Sequence, residues 1–472
     1  MLDKEFGELE EALARMWELA QGFGLDPFPV RFEVVPATIM YEFGAYGLPG
    51  RFSHWTHGKA YHQLKTMYDY GLSKIYELVI NTDPAYGFLL DANSLLQNKM
   101  VAAHVLAHSD FFKHNAYFRE TSRQMVEGAS VSAARIRQYE FERGALEVEH
   151  FLDAVLSIQE HVDPHQSMAR RRLGAHGPHD RERKQRPEGP YADVLSWGEP
   201  KEEEKPPAEK FPAEPQKDIL LFLAQHAPTL EDWQRDIIHI VRQEMLYFYP
   251  QMQTKIMNEG WASYWHSRIM RELDLSNDEY VEFANLHAGV LGSSKLRMNP
   301  YLVGLKMFED IERRWDSPNE EERVKFDRKG GEGRQKIFEV RELESDVSFL
   351  RNYLTKELVE ELDLYLYEER DGELVIVEKD WEKVRETMVG SMTNQGFPYI
   401  VVEDGDYQGN RELYLKHYFD GRPLDLPHAE KVLEHLYRLW SRPVHLETVL
   451  EEEPTVLSYD GKENKQQRLE AA

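Results

Sequence analysis

His104-Val105-Leu106-Ala107-His108 sets two imidazoles four residues apart, and Asn258-Glu259-Gly260-Trp261-Ala262 supplies a carboxylate far downstream. On a helix, residues four apart share a face, so His104 and His108 can grip one cation from the same side. Glu259, brought in on a second helix, completes a two-histidine, one-carboxylate ligand set suited to a divalent metal, zinc above all. The residue after the first histidine is Val105, where a zinc-binding helix of this type carries the glutamate that takes a proton from water. Valine cannot do that. The pattern therefore argues for a metal-binding face before it argues for any one reaction.

The spacing alone is weak. With 19 histidines in 472 residues, roughly one such pair is expected by chance. His161 and His165 share the spacing beside Pro164, at the edge of a polar stretch, and read as accidental. The His104/His108 pair instead follows a strand and sits among Val101, Val105, Leu106, Phe111 and Phe112. Two imidazoles buried there need partners for every nitrogen, and core histidines bonded to Asp110, Asn115 or backbone carbonyls are the plain alternative. Glu259 tips the balance, although a glutamate at a helix start is also favoured by the helix dipole. His266 lies two turns beyond it on nearly the same face.

The elements that must position these residues are legible from periodicity. Leu9, Leu13, Met16, Trp17 and Leu19 mark an amphipathic helix over 2–23, closed by Gly24 and Pro27-Phe28-Pro29. The Pro-, Gly- and aromatic-rich segment 33–55 predicts an ordered, irregular loop. A strand is expected at 75–80, a helix at 91–114 and further helices at 121–161. Residues 164–218 combine Arg170-Arg171-Arg172, repeated proline and Lys201-Glu202-Glu203-Glu204-Lys205, too little apolar content to offset ordering entropy, so a flexible insertion is expected. Helices resume at 219, 233–248, 254–273 and 299–315. After the charged stretch 316–334, strands are expected at 362–367, 374–377, 399–402 and 413–418, with helices at 381–392 and 428–440. The tail from Tyr459 is polar and expected to fray.

The composition is 41 % hydrophobic and 12 % aromatic, enough for a substantial core, and 472 residues suggest two folded units. A net charge of −27 opposes nucleic-acid or anionic-lipid binding. With 0 cysteines, disulfides and thiolate sites are excluded, and any metal must be held by His, Asp or Glu. The start Met1-Leu2-Asp3-Lys4-Glu5 lacks a signal-peptide pattern, and no apolar run approaches the roughly 18 residues of a membrane span. A cytoplasmic protein without membrane insertion is expected; oligomeric state is not readable.

Several long stretches carry a specific resemblance. Thr38-Ile39-Met40-Tyr41-Glu42, His54-Trp55, Gly58-Lys59, Asn81-Thr82-Asp83-Pro84, Leu90-Asp91-Ala92-Asn93, His104-Val105, His108-Ser109-Asp110-Phe111-Phe112, Asn258 through His266, and Met298-Asn299-Pro300-Tyr301 resemble the stage V sporulation protein R family. The resemblance spans most of the first 315 residues. It implies a protein of spore-forming bacteria needed for spore cortex formation, with relatives in non-sporulating bacteria, and supplies no biochemical activity. Glu259-Gly260-Trp261-Ala262 followed by Tyr301-Leu302-Val303-Gly304 is also similar, more weakly, to helical gluzincin zinc peptidases. That likeness implies His104, His108 and Glu259 as metal ligands.

The fold expected is α+β: a mainly helical, zincin-like N-terminal domain with a short sheet over 1–163 and 219–315, then an interaction domain with antiparallel strands over 335–458 and a tail over 459–472. Asp110, His266 and Tyr301 are the candidate catalytic residues. Asp110 points well around the helix and is expected to orient a ligand, while His266 and Tyr301 would donate to developing negative charge. His54, His57 and Tyr41, in an aromatic segment, are candidates for a substrate-cleft wall, packing over a core being the plainer reading. Glu147 and His150 give one ExxH where a di-iron site needs two. No phosphate loop or nucleophile elbow is present. Two functions follow: a metal-dependent hydrolase acting on a cortex-related substrate, or a catalytically silent scaffold working through protein partners.

Overall fold

The computed structural model describes residues 3–70, 77–165, 210–295, 297–370 and 372–469. Helix α1 (Asp3–Gly22) precedes strand β1 (Val30–Val35), helices α2 (Ala37–Tyr46) and α3 (Trp55–Asp69), and strands β2 (Glu77–Ile80) and β3 (Ala85–Leu90). Then come α4 (Leu95–His114), α5 (Met125–Arg143), α6 (Ala145–Leu156), α7 (Ile219–His226), α8 (Asp232–Gln253), α9 (Lys255–Glu272), α10 (Asn277–Val290) and α11 (Pro300–Asp316). Short helices α12 (Glu320–Phe326), α13 (Gly333–Leu343), α14 (Asp346–Tyr353) and α15 (Lys356–Glu361) lead to the hairpin β4 (Leu366–Arg370) and β5 (Glu373–Glu378), and to α16 (Trp381–Met392). The chain ends with β6 (Ile400–Tyr407), β7 (Glu412–His417), α17 (Leu426–Trp440), β8 (Val444–Leu450), β9 (Glu453–Tyr459) and β10 (Asn464–Arg468). Among the described residues, no helix is long and apolar enough to cross a membrane.

Two compact units result: Met1–Glu149 with Tyr247–Phe397, and His150–Leu246 with Pro398–Ala472. In the first, β3 pairs parallel with β1 and antiparallel with β2. Helix α4 is enclosed on most sides, its buried residues running from Leu96 to Phe112 with apolar ones spread around it and His104, His108 and Asp110 among them. Val101 and Val105 pack with Leu9 and Leu89 on the sheet side, while Ala103, Leu106 and Ala107 join the core built around Trp261 and Trp265 of α9. A capping box between Ser94 and Gln97 starts α4, satisfying helix-end donors that would otherwise be orphaned.

Helices α9 and α11 touch backbone to backbone. A methyl group added at Gly260 would fall inside contact distance of the Gly304 main chain, and one at Gly304 would strike the Ile256 carbonyl and Gly260. Glycine is needed here for closeness of approach, and it links the Glu259-Gly260 and Tyr301-x-x-Gly304 segments in space.

The structure redraws several expected boundaries. Segment 33–55 holds the end of β1 and all of α2; Met40 and Leu48 join Ile80, Phe88 and Leu90 in a small core, so packing overrides the breaker-rich composition. The unit expected from 335 begins instead at 398. Ile337, Val340, Phe349, Leu350, Val359 and Val384 lie in the same core as Trp261 and Phe308, so α13–α16 belong to the first unit. Residues 150–165 and 210–246 join the second unit, where Phe222 of α7 stacks on Trp440 at 5.8 Å and Asp218 pairs with Arg242 at 2.7 Å.

The second unit's sheet runs β10-β9-β8-β7-β6, antiparallel except for β7 and β8. That parallel pair requires a crossover, and α17 provides it, burying Leu433, Leu436, Leu439 and Trp440. The tail expected to fray pairs as β10 against β9 from Asn464 to Arg468. Its side chains are mostly exposed, so the ladder depends on backbone bonds and leaves no apolar alternation to read. Most of the expected insertion, 166–209, lies outside the described residues; of its end, Gln216 bridges to Val402 beside β6.

Substituting Gly260→Ala should destabilise the first unit toward the upper end of the roughly 1–3 kcal/mol typical of overpacked cores. Urea unfolding measures this, and an unchanged midpoint would contradict the backbone contact.

Candidate metal centre

Helices α4 and α9 bring together His104 and His108, singled out by their spacing, and Glu259, singled out by its sequence context. Nε2 of His104 lies 3.4 Å from Oε2 of Glu259, and Nε2 of His108 lies 3.5 Å from the same oxygen. One ligand atom from each residue falls within 4.8 Å of the others, the arrangement expected of a cation-binding group. A tetrahedral zinc centre with bonds of about 2.0–2.1 Å separates its ligand atoms by roughly 3.3–3.4 Å. The two His–Glu separations therefore match the edges of such a tetrahedron and lie at the long end of hydrogen-bond distances. The histidine side chains are 6 % and 4 % exposed and that of Glu259 18 %, so the carboxylate forms the more open edge.

Each histidine is held from behind. Nδ1 of His108 meets Oδ1 of Asn258 at 2.9 Å, and Nδ1 of His104 meets Nδ1 of His266 at 2.8 Å. Nε2 of His266 continues to Nδ1 of His287 on α10, again at 2.8 Å. A ligating histidine whose other nitrogen is bonded has its ring orientation and tautomer fixed. Tyr301, in the first turn of α11, stacks on His104 with ring centroids 5.9 Å apart.

The carboxylate's position is set from two directions. Asp346, at the start of α14, accepts from the Ile256 and Met257 amides at 2.9 and 3.0 Å, capping α9 one turn before Glu259. Burial pushes the Asp346 carboxyl up to about 7, against the pull of those amides. At the other contact, Asp110 ties α4 to α9: one oxygen accepts from Trp261 Nε1 at 2.9 Å and Arg341 at 2.7 Å, and the other from the Asp26 amide at 2.8 Å. Both oxygens of Asp110 are thus engaged away from the ligand nitrogens, and Asn258, not Asp110, stands at His108. Desolvation opposes ionisation of Glu259, but hydrogen bonds from His104 and His108, and their charge, hold it well below the usual carboxylate range. Burial, followed by the charges of His104, His287 and His108, keeps His266 well below the usual histidine range.

Val105 is fully buried against the sheet, with Gly87 leaving room for it. A carboxylate at that position would sit among Leu9, Leu89 and Val101. His266 and Tyr301 do come to the site. His54, His57 and Tyr41 gather in the corner formed by α2 and α3, with Tyr46, Phe52, Trp55, Tyr61 and Tyr68 as ring neighbours. None of these neighbours is a residue of the α4–α9 cluster. His54 caps α3 through Thr56, and burial, with Arg51 and His54 nearby, pushes His57 down to about 4. His161 and His165 lie beyond the end of α6 and share no helix.

Two residues of the site escaped the sequence reading. Asn258 stood in the recognised stretch without a role. His287 lies on α10, which went unpredicted although Ser276 and Glu279 form a capping box at its start. That signature, followed by Phe283 and His287 at helical spacing, was the available signal.

A buried His-His-Glu cluster between two helices of an α+β protein defines the chain as a candidate metalloprotein. Its family is defined by comparison. A family model described as SpoVR like protein matches residues 3–397, and one described as SpoVR-like C-terminal domain matches 398–451. The chain belongs to the SpoVR family, a membership that associates it with sporulation. The boundary between the two matches coincides with the start of the last segment of the second unit. The chain is also 30 % identical to the "Uncharacterized protein YcgB" of Escherichia coli (strain K12), over 94 % of this chain and 92 % of that protein. No solved structure matches.

His57 also yields a test in solution. A histidine with a folded pKa near 4 stays neutral while the unfolded chain takes up a proton below about pH 6.5. Its contribution is complete above that value and is lost as pH falls. His57→Gln should therefore flatten the pH dependence of stability between about 6.5 and 4 by up to about 1.4 kcal/mol per pH unit. Urea unfolding across that range reads the slope; identical slopes in the two proteins would refute the burial effect.

Proposed function

We propose that the protein is a metal-dependent hydrolase acting during spore cortex assembly, with His104, His108 and Glu259 as ligands of one divalent cation, most suitably zinc. The observation that carries this reading is the ligand count together with its geometry. Among the described residues the cluster has three side chains able to ligate, with ligand atoms within 4.8 Å of one another and both His–Glu separations at tetrahedral-edge length. Structural zinc sites close with four protein ligands, whereas catalytic ones use three and leave a position open. The weak gluzincin likeness, with Gly260 against Gly304, supports the same assignment.

Bound there, a divalent metal would supply Lewis acidity toward a substrate oxygen and acidify water at neutral pH. The chain's own residues do the positioning. His104 and His108 present Nε2, Glu259 contributes the negative charge, and Asn258 holds His108. The Tyr301 ring stacks on His104, placing a phenol beside the cluster as a candidate donor. Because Val105 cannot act as base, any proton acceptor must come from outside that position. Val105 also favours a second reading, a catalytically silent, metal-bearing scaffold that works through protein partners.

Purified without chelator, the protein should carry close to one equivalent of zinc or another divalent metal. His108→Ala should lower zinc affinity by at least about 100-fold, measured by competition with a chromophoric chelator. A wild-type chain that binds no metal would end the hydrolase reading. In a sporulating strain lacking its family member, Glu259→Gln and His104→Ala should both fail to restore spores; full rescue by both would favour the scaffold.

A further inference from the structure

Behind the ligands lies a feature that a two-histidine, one-glutamate site does not require: three imidazoles in series, from His104 on α4 through His266 on α9 to His287 on α10. We propose that His266 and His287 are positioning residues which fix the tautomer of His104, the three rings forming a hydrogen-bonded chain directed outward from the metal. The inference rests on His104 being a metal ligand through Nε2.

The direction of the chain follows from counting protons. A neutral imidazole has one N–H and one lone pair. With the Nε2 lone pair of His104 given to a cation, its proton must sit on Nδ1 and be donated to Nδ1 of His266. The proton of His266 is then on Nε2, donated to Nδ1 of His287, whose own proton is left on Nε2. One ligand bond thus dictates the state of three rings.

The surroundings hold the rings as a set. Tyr301 stacks on His104, and Phe283 stacks on His287 at 5.7 Å while meeting His266 edge-on at 6.4 Å. Helix α10 is moored to the start of α4 by Lys99 to Glu279 at 3.3 Å and Ser94 to Glu282 at 3.3 Å, fixing His287 relative to the ligand helix. Enclosing the imidazoles of His104 and His266, with His287 half-buried behind them, costs free energy that leucine or phenylalanine would avoid. The ligands are consequently braced in two ways. His108 leans on an amide oxygen that accepts whatever the state of its neighbours, whereas His104 leans on a ring whose accepting nitrogen is secured only by the next ring.

The critical requirement is an acceptor at the Nδ1 position of residue 287. His287→Asn places an amide oxygen near that position, whereas His287→Leu removes it at similar bulk. Zinc affinity, read by chelator competition, should fall roughly 10- to 100-fold in His287→Leu and recover to within about threefold of wild type in His287→Asn. Affinity unchanged in the leucine variant, or lost equally in both, would overturn the proposal. Independently of any variant, histidine-selective 15N NMR of the zinc-loaded wild-type chain should show His266 and His287 as Nε2–H tautomers. Either residue found as Nδ1–H would overturn it. A wild-type chain that binds no zinc overturns the metal reading and this one together, whereas zinc bound with the wrong tautomers overturns only the chain.

Discussion

A carboxylate held between two buried helices is the constraint on which the first unit is built. Glu259 must give up much of its water, and a desolvated charge is tolerated only where donors or a cation replace that water. His104 and His108 turn their Nε2 atoms to it, placed to share a cation with it, and their Nδ1 atoms then need partners, which His266 and Asn258 provide. Satisfying one buried charge therefore recruits polar groups from α4, α9 and α10. Such a network is stabilising only when every member is satisfied, so its geometry tolerates little slack.

That demand explains the structural features around it. The Gly260–Gly304 contact draws α11 close enough for Tyr301 to reach His104. Asp346 fixes where α9 begins, and Asp110 with Trp261 and Arg341 fixes how α9 lies on α4. Asp110 and Arg341 form a fully enclosed ion pair, costly to build and more costly to break from one side. The pair ties α4 to α13, while Trp261 on the same carboxylate ties α4 to α9. Val105 belongs to this logic too, because its side of α4 faces the sheet and has to be apolar.

The site was more legible in the sequence than the division of the chain. His104 and His108 were readable because helical spacing is local, and Glu259 because an acid beside glycine and tryptophan is unusual on a solvated helix. What spacing could not show is which partner each nitrogen takes, since Asn258, His266 and His287 meet the ligands only through tertiary packing. Asp110 illustrates the limit: its place on α4 near His108 suggested a ligand-orienting role, whereas packing gives it bonds to Trp261, Arg341 and the Asp26 amide. The helices were largely apparent from periodicity, α16 to the residue. The unit boundary at Phe397-Pro398 was not, because α13–α16 look like a compositional change yet are covered by the core of the first unit. Strand β10 went unseen because a polar edge strand carries no alternating pattern, whereas β8, with Val444, Leu446 and Thr448 buried in alternation, carried a signal that the reading passed over.

The central claim is that two imidazoles and one carboxylate, those of His104, His108 and Glu259, bind one cation. X-ray absorption at the zinc edge of the zinc-loaded protein tests it most directly. The account predicts scattering from two imidazole nitrogens and oxygen at about 2.0–2.1 Å, without sulfur, with the imidazole contribution halved in His104→Ala. A spectrum showing zinc bound only through oxygens, or imidazole scattering that survives unchanged in that variant, would contradict it.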